Sequence, residues 1–292
     1  MKQYLDLLKD ILENGEHRED RTKTGTISVF GRQIRFNLQD GFPAVTTKKL
    51  AWKACVSELL WFLTGDTDER LLAEILHGTR DPEKKTIWTD NAQAPYWKPK
   101  AKFDGDLGRI YQQQWRSWNP HQVKWTSSSE SEPVYIDQIA NVIKSIKEDP
   151  FSRRHIVSAW NVGELDQMAL PPCHVMFQFY VSTDKKLSCH ILIRANDILL
   201  GAPFNYASYA LLTHMIAQVC ELDVGELVVS TGDTHLYKNH IEQAKEQLNR
   251  EPYPLPKLWL NPDIKDIDKF TMDDIKLIDY QCHAAIKAPM AV

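Results

Sequence analysis

The chain has 292 residues, of which 43% are hydrophobic and 25% are charged. This composition fits a folded protein with one large core or two modest ones, and it excludes disordered and collagen-like chains. The formal net charge of -4 excludes a general positive field for nucleic acid or for an anionic membrane. An anionic ligand must therefore meet a local cluster of basic residues.

The cysteines and the start of the chain predict a cytoplasmic protein. Five cysteines are an odd number, and none shows the CxxC spacing or the companion histidine pattern of a zinc site. We expect a reducing compartment and no metal. The first ten residues already carry charges, and no stretch approaches the ~20 consecutive apolar residues that span a bilayer.

Apolar spacing predicts the elements in chain order. The chain opens with an amphipathic helix that ends at Asn14-Gly15. Residues 26–38 predict two strands, or one long bent strand, around Gly31. Residues 51–63 are apolar almost all round and predict a central helix, in which Glu58 has apolar neighbours. Further elements are predicted as helices over 136–146 and 206–220 and as strands over 156–160, 175–181, 187–193 and 227–230.

The order of these elements predicts the fold class. Helices and strands do not alternate regularly, which favours an α+β fold with a large, twisted, mostly buried sheet flanked by helices. Two polar stretches near 78–106 and 119–134 indicate surface insertions. We therefore expect one catalytic domain over 1–292.

Cys173 is the first candidate for chemistry. It follows Pro171-Pro172 and directly precedes an apolar run that predicts a strand. A stiff turn can present the thiol at the mouth of a cleft, which is a placement typical of a nucleophile. The alternative is a small buried hydrophobe. Cys55, Cys189 and Cys220 lie in apolar runs and keep that second interpretation.

Four arginines stand beside small polar or turn-forming residues. A planar guanidinium suits bidentate capture of phosphate. The alternative for each is a solvated surface residue or an ion-pair partner. These residues are Arg21, Arg153, Arg154 and Arg194.

Three further polar groups have both a chemical and a structural interpretation. The amide of Asn205 can recognise a base edge, or it can cap a helix that starts at Tyr206. Glu58, in apolar company, is suited to proton transfer, or it pairs with a structural donor such as a tryptophan N–H. Residues 232–237 can hydrogen-bond a sugar hydroxyl, or they form a polar turn between a strand and a helix.

Short motifs follow one another from the beginning to the end of the chain. They are Asp20-Arg21-Thr22, Phe42–Lys49, Glu58–Leu63, Thr86-Ile87-Trp88, Tyr111 with Gln114-Trp115-Arg116, Ser152-Arg153-Arg154, Ser158–Asn161, Leu170–His174, Gly201–Tyr209, Gly232–Tyr237 and Ile286–Val292. Together they resemble the thymidylate synthase family, and the two polar insertions fall where that family varies in length. Because so many motifs keep their order, a chance match is negligible.

The resemblance implies a reaction and a set of catalytic residues. The reaction is transfer of one carbon from 5,10-methylenetetrahydrofolate to C5 of dUMP, through a covalent intermediate on Cys173. Asn205 binds the O4 and N3 edge of the base, Glu58 relays protons, and Tyr111 helps to remove the C5 proton. The implied catalytic set is Cys173, Glu58, Tyr111, Asn205, His174 and Asp197.

The resemblance also implies binding residues and a homodimer. The phosphate is held by Arg21 and Arg194, joined by Arg153 and Arg154 from the other subunit. The 3′-hydroxyl is held by His235 and Tyr237, and no metal, membrane or nucleic acid is expected as a partner. The folate co-substrate contacts Ile87, Trp88, Asp197, Leu200, Gly201 and Phe204, and Val292 closes over it.

Departures from the family pattern cluster in two segments. Ile193-Arg194-Ala195 stands where the family reads Gln-Arg-Ser, and Leu192 replaces a tyrosine. Residues 108–112 read Gly-Arg-Ile-Tyr-Gln instead of Gly-Pro-Val-Tyr-Gly, and Lys23 replaces a glycine. Absence of one hydrogen bond to the charged phosphate costs about 1.5 to 3 kcal/mol. Arg109 is a candidate to supply a compensating hydrogen bond.

These departures leave alternatives to a dTMP-forming enzyme. Relatives that hydroxymethylate deoxypyrimidine nucleotides add water where thymidylate synthases transfer hydride. Residues 194–197, Arg-Ala-Asn-Asp, are also similar to deoxycytidylate hydroxymethylases, but Asn205 favours uracil over cytosine. A catalytically silent nucleotide- or RNA-binding relative is disfavoured by intact Cys173, Glu58, Tyr111 and Asn205, and by the net charge of -4.

Overall fold

A computed structural model describes residues 1–19, 24–119, 123–125 and 131–289. Two predicted site residues, Arg21 and Val292, lie outside these ranges, as do residues 120–122 and 126–130 of the predicted insertion near 119–134. Its helices are α1 (Lys2–Asn14), α2 (Trp52–Thr64), α3 (Glu69–His77), α4 (Thr89–Ala92), α5 (Tyr111–Arg116), α6 (Gln138–Glu148), α7 (Gly201–Val219) and α8 (Ile241–Leu248).

The strands form one large sheet and two small antiparallel pairs, β3 with β4 and β9 with β10. In chain order they are β1 (Glu16–Arg18), β2 (Thr26–Asn37), β3 (Val123–Trp125), β4 (Ser131–Pro133), β5 (Ile156–Ser158), β6 (His174–Val181), β7 (Lys186–Asp197), β8 (Asp223–Tyr237), β9 (Lys257–Leu260) and β10 (Ile275–Ile278).

The chain divides into two compact units. The first unit combines Met1–Val56 with the chain from Cys173 onward, and the second is Ser57–Pro172. The first unit contains α1, α7, α8 and five strands of the large sheet. The second contains α3 to α6 with β3, β4 and β5.

The sheet of the first unit follows the order β1-β2-β8-β7-β6. Neighbouring strands are antiparallel except for the parallel pair β7 and β8. Helix α7 packs on β7 and β8, and it is buried almost all round because its sequence has no polar face. The prediction of an α+β fold with a large mixed sheet flanked by helices is confirmed.

Strand β8 is much longer than the predicted run 227–230. It pairs with β2 on one side and with β7 on the other as far as Tyr237, so residues 232–237 belong to a central strand. The alternative interpretation of these residues as a polar turn was wrong. Gly232 permits the pairing, because a Cβ at this position would lie 2.9 Å from the carbonyl oxygen of Arg194 on β7.

Residues 26–37 form one strand that includes Gly31. Phe30 pairs with Asp233 and Arg32 pairs with Thr231, so the register is continuous and Gly31 lies opposite Gly232 of β8. The φ of +69° at Gly31 is readily adopted only by glycine. The strand therefore continues through Gly31 as one element.

Helix α7 begins at Gly201, five positions before the predicted start at Tyr206. Pro203 lies in the first turn, where the missing N–H costs nothing because it would have no intrahelical acceptor. Asn205 is therefore inside the helix, and the prediction that it caps the helix was wrong. Its side chain is available for another role.

The second unit is organised around an aromatic cluster. Phe62 and Tyr111 stack with ring centroids 5.0 Å apart, and Trp88 packs edge-on against both rings. Trp61 and Trp115 complete the cluster, and all five rings are buried. Among the helices that the structure describes, none combines the length and the apolar composition needed to cross a bilayer.

Candidate active site

Cys173 lies at the entry to β6 in the first unit. Its carbonyl oxygen accepts a hydrogen bond from the backbone N–H of Arg194, at 2.9 Å, so β7 fixes the backbone at this position. Cys173 is partly exposed, whereas Cys189 on β7 is buried. Burial raises the pKa of the Cys189 thiol to about 12, which keeps it protonated. Accessibility therefore favours Cys173 over Cys189 as a nucleophile.

His174 and Asn205 are hydrogen-bonded to each other in the first unit. His174 is the first residue of β6 and is 9% exposed. Its burial lowers the pKa to about 4, so the ring is neutral at physiological pH. The ring also packs edge-on against Tyr209 of α7, with centroids 5.3 Å apart. These two contacts restrict the rotation of both His174 and the Asn205 amide.

Asp197 is the last residue of β7, and its carboxylate binds the backbone just before α7. One carboxylate oxygen, Oδ1, accepts from the backbone N–H groups of Leu199 and Leu200, both at 3.1 Å. The other oxygen, Oδ2, has no hydrogen-bond partner among the described residues and remains an acceptor for a ligand N–H. A Cβ on Gly201 would lie 3.6 Å from the Asp197 Cβ and 3.9 Å from Asn205 Nδ2. Asp197, Gly201 and Asn205 are therefore close together.

His235 and Tyr237 lie near the end of β8, beside β7. Asp197 and His235 are register partners in the parallel pair, and the His235 Nδ1 lies 3.0 Å from Asp233 Oδ1. This hydrogen bond lowers the pKa of Asp233, whose other oxygen accepts from Arg18 at 2.8 Å. The rings of His235 and Tyr237 are 5.3 Å apart. Both side chains are half-buried, and Arg194 on β7 is exposed.

Glu58 lies on α2 in the second unit. Its Oε1 accepts a hydrogen bond from the indole N–H of Trp88 at 2.7 Å. Burial raises the pKa of Glu58 to about 7, and the Trp88 hydrogen bond opposes this shift. Glu58 therefore has the tryptophan N–H partner of its structural interpretation, and its raised pKa is compatible with the proton-transfer interpretation, which stays a prediction.

Tyr111 is the first residue of α5 and lies in the aromatic cluster. It is 3% exposed, and its ring centroid is 6.1 Å from that of Trp88. The neighbouring Ile87 is 55% exposed, although Trp88 is buried. Glu58, Trp88 and Tyr111 thus share one neighbourhood of the second unit. Arg153 and Arg154 are both exposed in the same unit.

Arg109 is held by acceptors within its own unit. Each nitrogen of its guanidinium donates to an acceptor there: Glu164 Oε2 at 2.6 Å, Gln113 Oε1 at 2.8 Å and the Ser117 carbonyl at 2.6 Å. Glu164 is 1% exposed and needs this cation to offset its burial. That Arg109 also supplies a compensating hydrogen bond to phosphate stays a prediction, since its Nη1 and Nη2 atoms each carry a second N–H.

The structure also shows two polar groups that the sequence patterns did not single out for a role. Gln112 is fully buried, and neither of its side-chain amide atoms has a partner in the described part of the chain. Glu69 is 1% exposed at the start of α3, where an acidic residue is normally a solvated part of the first helical turn. No local pattern distinguishes either residue from a surface residue.

The family of this chain is shown by comparison with known family models. In the ranges that are described, no group of three or more His, Cys, Asp or Glu side chains is arranged to hold a metal ion. The family model described as thymidylate synthase matches residues 2–292. That family transfers a one-carbon unit to dUMP and uses 5,10-methylenetetrahydrofolate as co-substrate. Because the match extends over both compact units, the chain belongs to the thymidylate synthase family.

Proposed function

We propose that this protein transfers one carbon from 5,10-methylenetetrahydrofolate to C5 of dUMP and reduces it, giving dTMP and dihydrofolate. The observation that carries the proposal is the placement of Cys173 next to His174, whose ring is hydrogen-bonded to Asn205. This segment puts a nucleophile beside an amide that can recognise a base. The groups proposed for proton transfer are Glu58 and Tyr111.

The first step is addition of the Cys173 thiolate to C6 of the uracil ring. The Sγ–C6 bond forms, and the electron pair of the C5–C6 double bond moves through C4 to O4. The resulting enolate makes C5 nucleophilic toward the one-carbon unit. An amide donor at O4 stabilises the negative charge, and this is the role of Asn205.

Asn205 also selects the base. Its amide has both a donor and an acceptor, which match the O4 acceptor and the N3–H donor of uracil. Cytosine presents an amino donor and an unprotonated N3 at the same edge, so a fixed amide would face mismatched groups. The His174 hydrogen bond holds the amide in one orientation and makes this selection effective.

Glu58 and Tyr111 transfer protons. Because the pKa of Glu58 is about 7, the carboxyl can both donate and accept a proton near neutral pH. It supplies a proton toward O4 through water and takes it back later. Tyr111 assists removal of the C5 proton, which is required before the covalent bond to Cys173 breaks.

The remaining residues hold the two substrates. Arg194, with Arg21 and the arginines of the partner subunit, binds the phosphate, and His235 and Tyr237 bind the sugar. The free Asp197 Oδ2 suits an N–H donor of the folate ring, and half-buried Phe204 offers an apolar surface to that ring. The rest of the folate site consists of Ile87, Trp88, Leu200, Gly201 and Val292.

A homodimer with shared phosphate sites makes a specific prediction. Arg153 and Arg154 are exposed in the second unit, as residues that reach a neighbouring subunit must be. Mixing inactive Cys173→Ser protein with inactive Arg154→Ala protein should restore activity, up to roughly a quarter of wild type for random exchange between dimers. One hybrid site then carries both intact residues. No recovery after verified subunit exchange, or a monomer by sedimentation, would contradict the shared site.

One observation favours a second candidate function. Gln112, directly after Tyr111, buries an amide that has no protein partner among the described residues, and such an amide normally binds an ordered water. An ordered water beside the proton-transfer group suits deoxyuridylate hydroxymethylase chemistry. In that reaction, water and not hydride completes the transfer, giving 5-hydroxymethyl-dUMP and tetrahydrofolate.

Product analysis tests the proposal. We expect dUMP and 5,10-methylenetetrahydrofolate to yield dTMP by mass spectrometry, with one dihydrofolate per turnover by absorbance. A product heavier by one oxygen, without dihydrofolate, would establish the second candidate, and Gln112→Leu should then lower the oxygenated share. The same assay with dCMP should show slower turnover than with dUMP. Absence of tritium release from 5-tritiated dUMP would indicate a catalytically silent relative.

A further inference from the structure

A polar cluster around the buried carboxylate of Glu69 contacts the segment that carries Trp88. The Glu69 carboxylate accepts from the hydroxyls of Thr86 at 2.5 Å and Thr89 at 2.6 Å, both at Oε1. Arg70 donates to the same carboxylate, with Nε 2.6 Å from Oε2 and Nη2 2.5 Å from Oε1. We call Glu69, Arg70, Thr86 and Thr89 the Glu69 cluster.

The Glu69 cluster fixes the backbone on both sides of Trp88. The Thr86 hydroxyl accepts from the Trp88 N–H at 3.1 Å, and the Thr89 hydroxyl accepts from the Thr86 N–H at 2.8 Å. Each threonine therefore contacts the backbone of this segment and the carboxylate of α3 at the same time. The segment is held at both ends by one buried anion.

A hydrogen bond from Trp88 connects this segment to Glu58. Its indole N–H is the sole hydrogen-bond partner of the Glu58 side chain among the described residues, and no charged side chain shifts the pKa of Glu58. Tyr111, a second titratable residue, packs against Trp88. The state of Glu58 thus depends on where Trp88 is held.

We propose that Glu69 is a positioning residue: through Thr86 and Thr89 it holds Trp88 so that the indole N–H stays on the Glu58 carboxylate. The geometry favours this role because the anion is buried and satisfied by four donors, whereas an acidic residue in a first helical turn is normally exposed. The inference rests on the proposed proton transfer by Glu58.

The physical consequence concerns the protonation of Glu58. A hydrogen bond to a carboxylate stabilises its charged form, and the Trp88 N–H lowers the pKa of Glu58 against the effect of burial. If the segment loosens, that hydrogen bond weakens and the pKa must rise. A purely structural role for the Glu69 cluster would change thermal stability without moving this pKa.

The test is a titration of Glu58 in the free protein, by carbon-13 NMR of labelled glutamate carboxyls, with Glu58→Gln to assign the resonance. Thr89→Val replaces the hydroxyl by a methyl group of similar size. Thr86→Val removes the other hydroxyl that donates to the same oxygen of Glu69. We expect the Glu58 pKa to rise by roughly half a unit to one unit in each variant. The acid limb of the activity profile should move in the same direction.

Matched controls separate this effect from a loss of folding. Thr89→Ser keeps the hydroxyl and should keep the wild-type pKa, and Thr79→Val makes the same change on a threonine outside the cluster. An unchanged Glu58 pKa in folded Thr86→Val and Thr89→Val would overturn the proposal. So would unfolding of both variants, since the role would then be structural. Because the titration uses no substrate, its outcome is independent of which product the enzyme makes.

Discussion

Replacing Cys173 by serine should lower kcat/KM for dUMP by about three to six orders of magnitude. A cysteine attacks C6 as a thiolate, whereas a serine hydroxyl stays protonated and is a poor nucleophile. Nucleotide binding should remain, because the arginines, Asn205 and His235 are unchanged. The measurement is steady-state turnover together with dUMP affinity by calorimetry.

Cys220→Ser provides the matched control for this change. Cys220 is also partly exposed, but it follows the end of α7. We expect that variant to retain wild-type turnover, with at most a modest change in melting temperature. Turnover of Cys173→Ser within a few-fold of wild type would refute the assignment of the nucleophile, and equal losses in both variants would point to a folding defect.

Replacing Glu58 by glutamine should lower kcat by about 10²- to 10⁴-fold. The amide still offers an oxygen to the Trp88 N–H, so the local packing is retained, but it cannot donate and regain a proton. The wild-type profile of kcat/KM against pH should have a limb near pH 7, set by the Glu58 pKa of about 7, and this limb should disappear in the variant. Substrate affinity should change much less than turnover.

The raised pKa of Glu58 also makes the stability of the wild-type protein depend on pH. The Glu58 pKa is about 7 in the folded protein against an ordinary value of 4.5, so between these values the folded state binds more protons than the unfolded state. Stability therefore falls as the pH rises from about 4.5 to about 7, and it levels off above.

Glu58→Gln lacks this decline. Its melting temperature relative to wild type should therefore increase between pH 5 and pH 8. Glu74→Gln, an exposed change on α3, should show no such trend. A relative melting temperature of Glu58→Gln that is constant with pH would show that Glu58 is not desolvated.

The sequence predicted the environment of Glu58 better than the boundaries of α7. An apolar run on all sides of a helix already places a carboxyl among hydrophobic neighbours, and such a site raises its pKa wherever the helix packs. The start of α7 could not be read in this way. Glycine and proline in Gly201-Ala202-Pro203 are typical of a turn before a helix. Only the packing of α7 on β7 and β8 makes these residues the first helical turn.

Strand β8 illustrates the same limit. Its second half reads as polar turn residues, but two flanking strands satisfy the backbone hydrogen bonds and make it central. Arg109 is a further case. The sequence marked it as a lone basic departure, but it did not indicate that the buried carboxylate of Glu164, 55 residues away in the chain, would pair with it.

The sequence alone determined the family, the reaction class and the identity of the residues proposed for chemistry, because these depend on residue types in a fixed order. The tertiary structure decided which polar groups are buried and which partners they meet. Two examples are Glu69, whose carboxylate binds both threonines of the Trp88 segment, and Gln112, whose buried amide has no partner among the described residues. Desolvation and hydrogen bonding depend on contacts between residues that are distant in the chain, and no local pattern records those contacts.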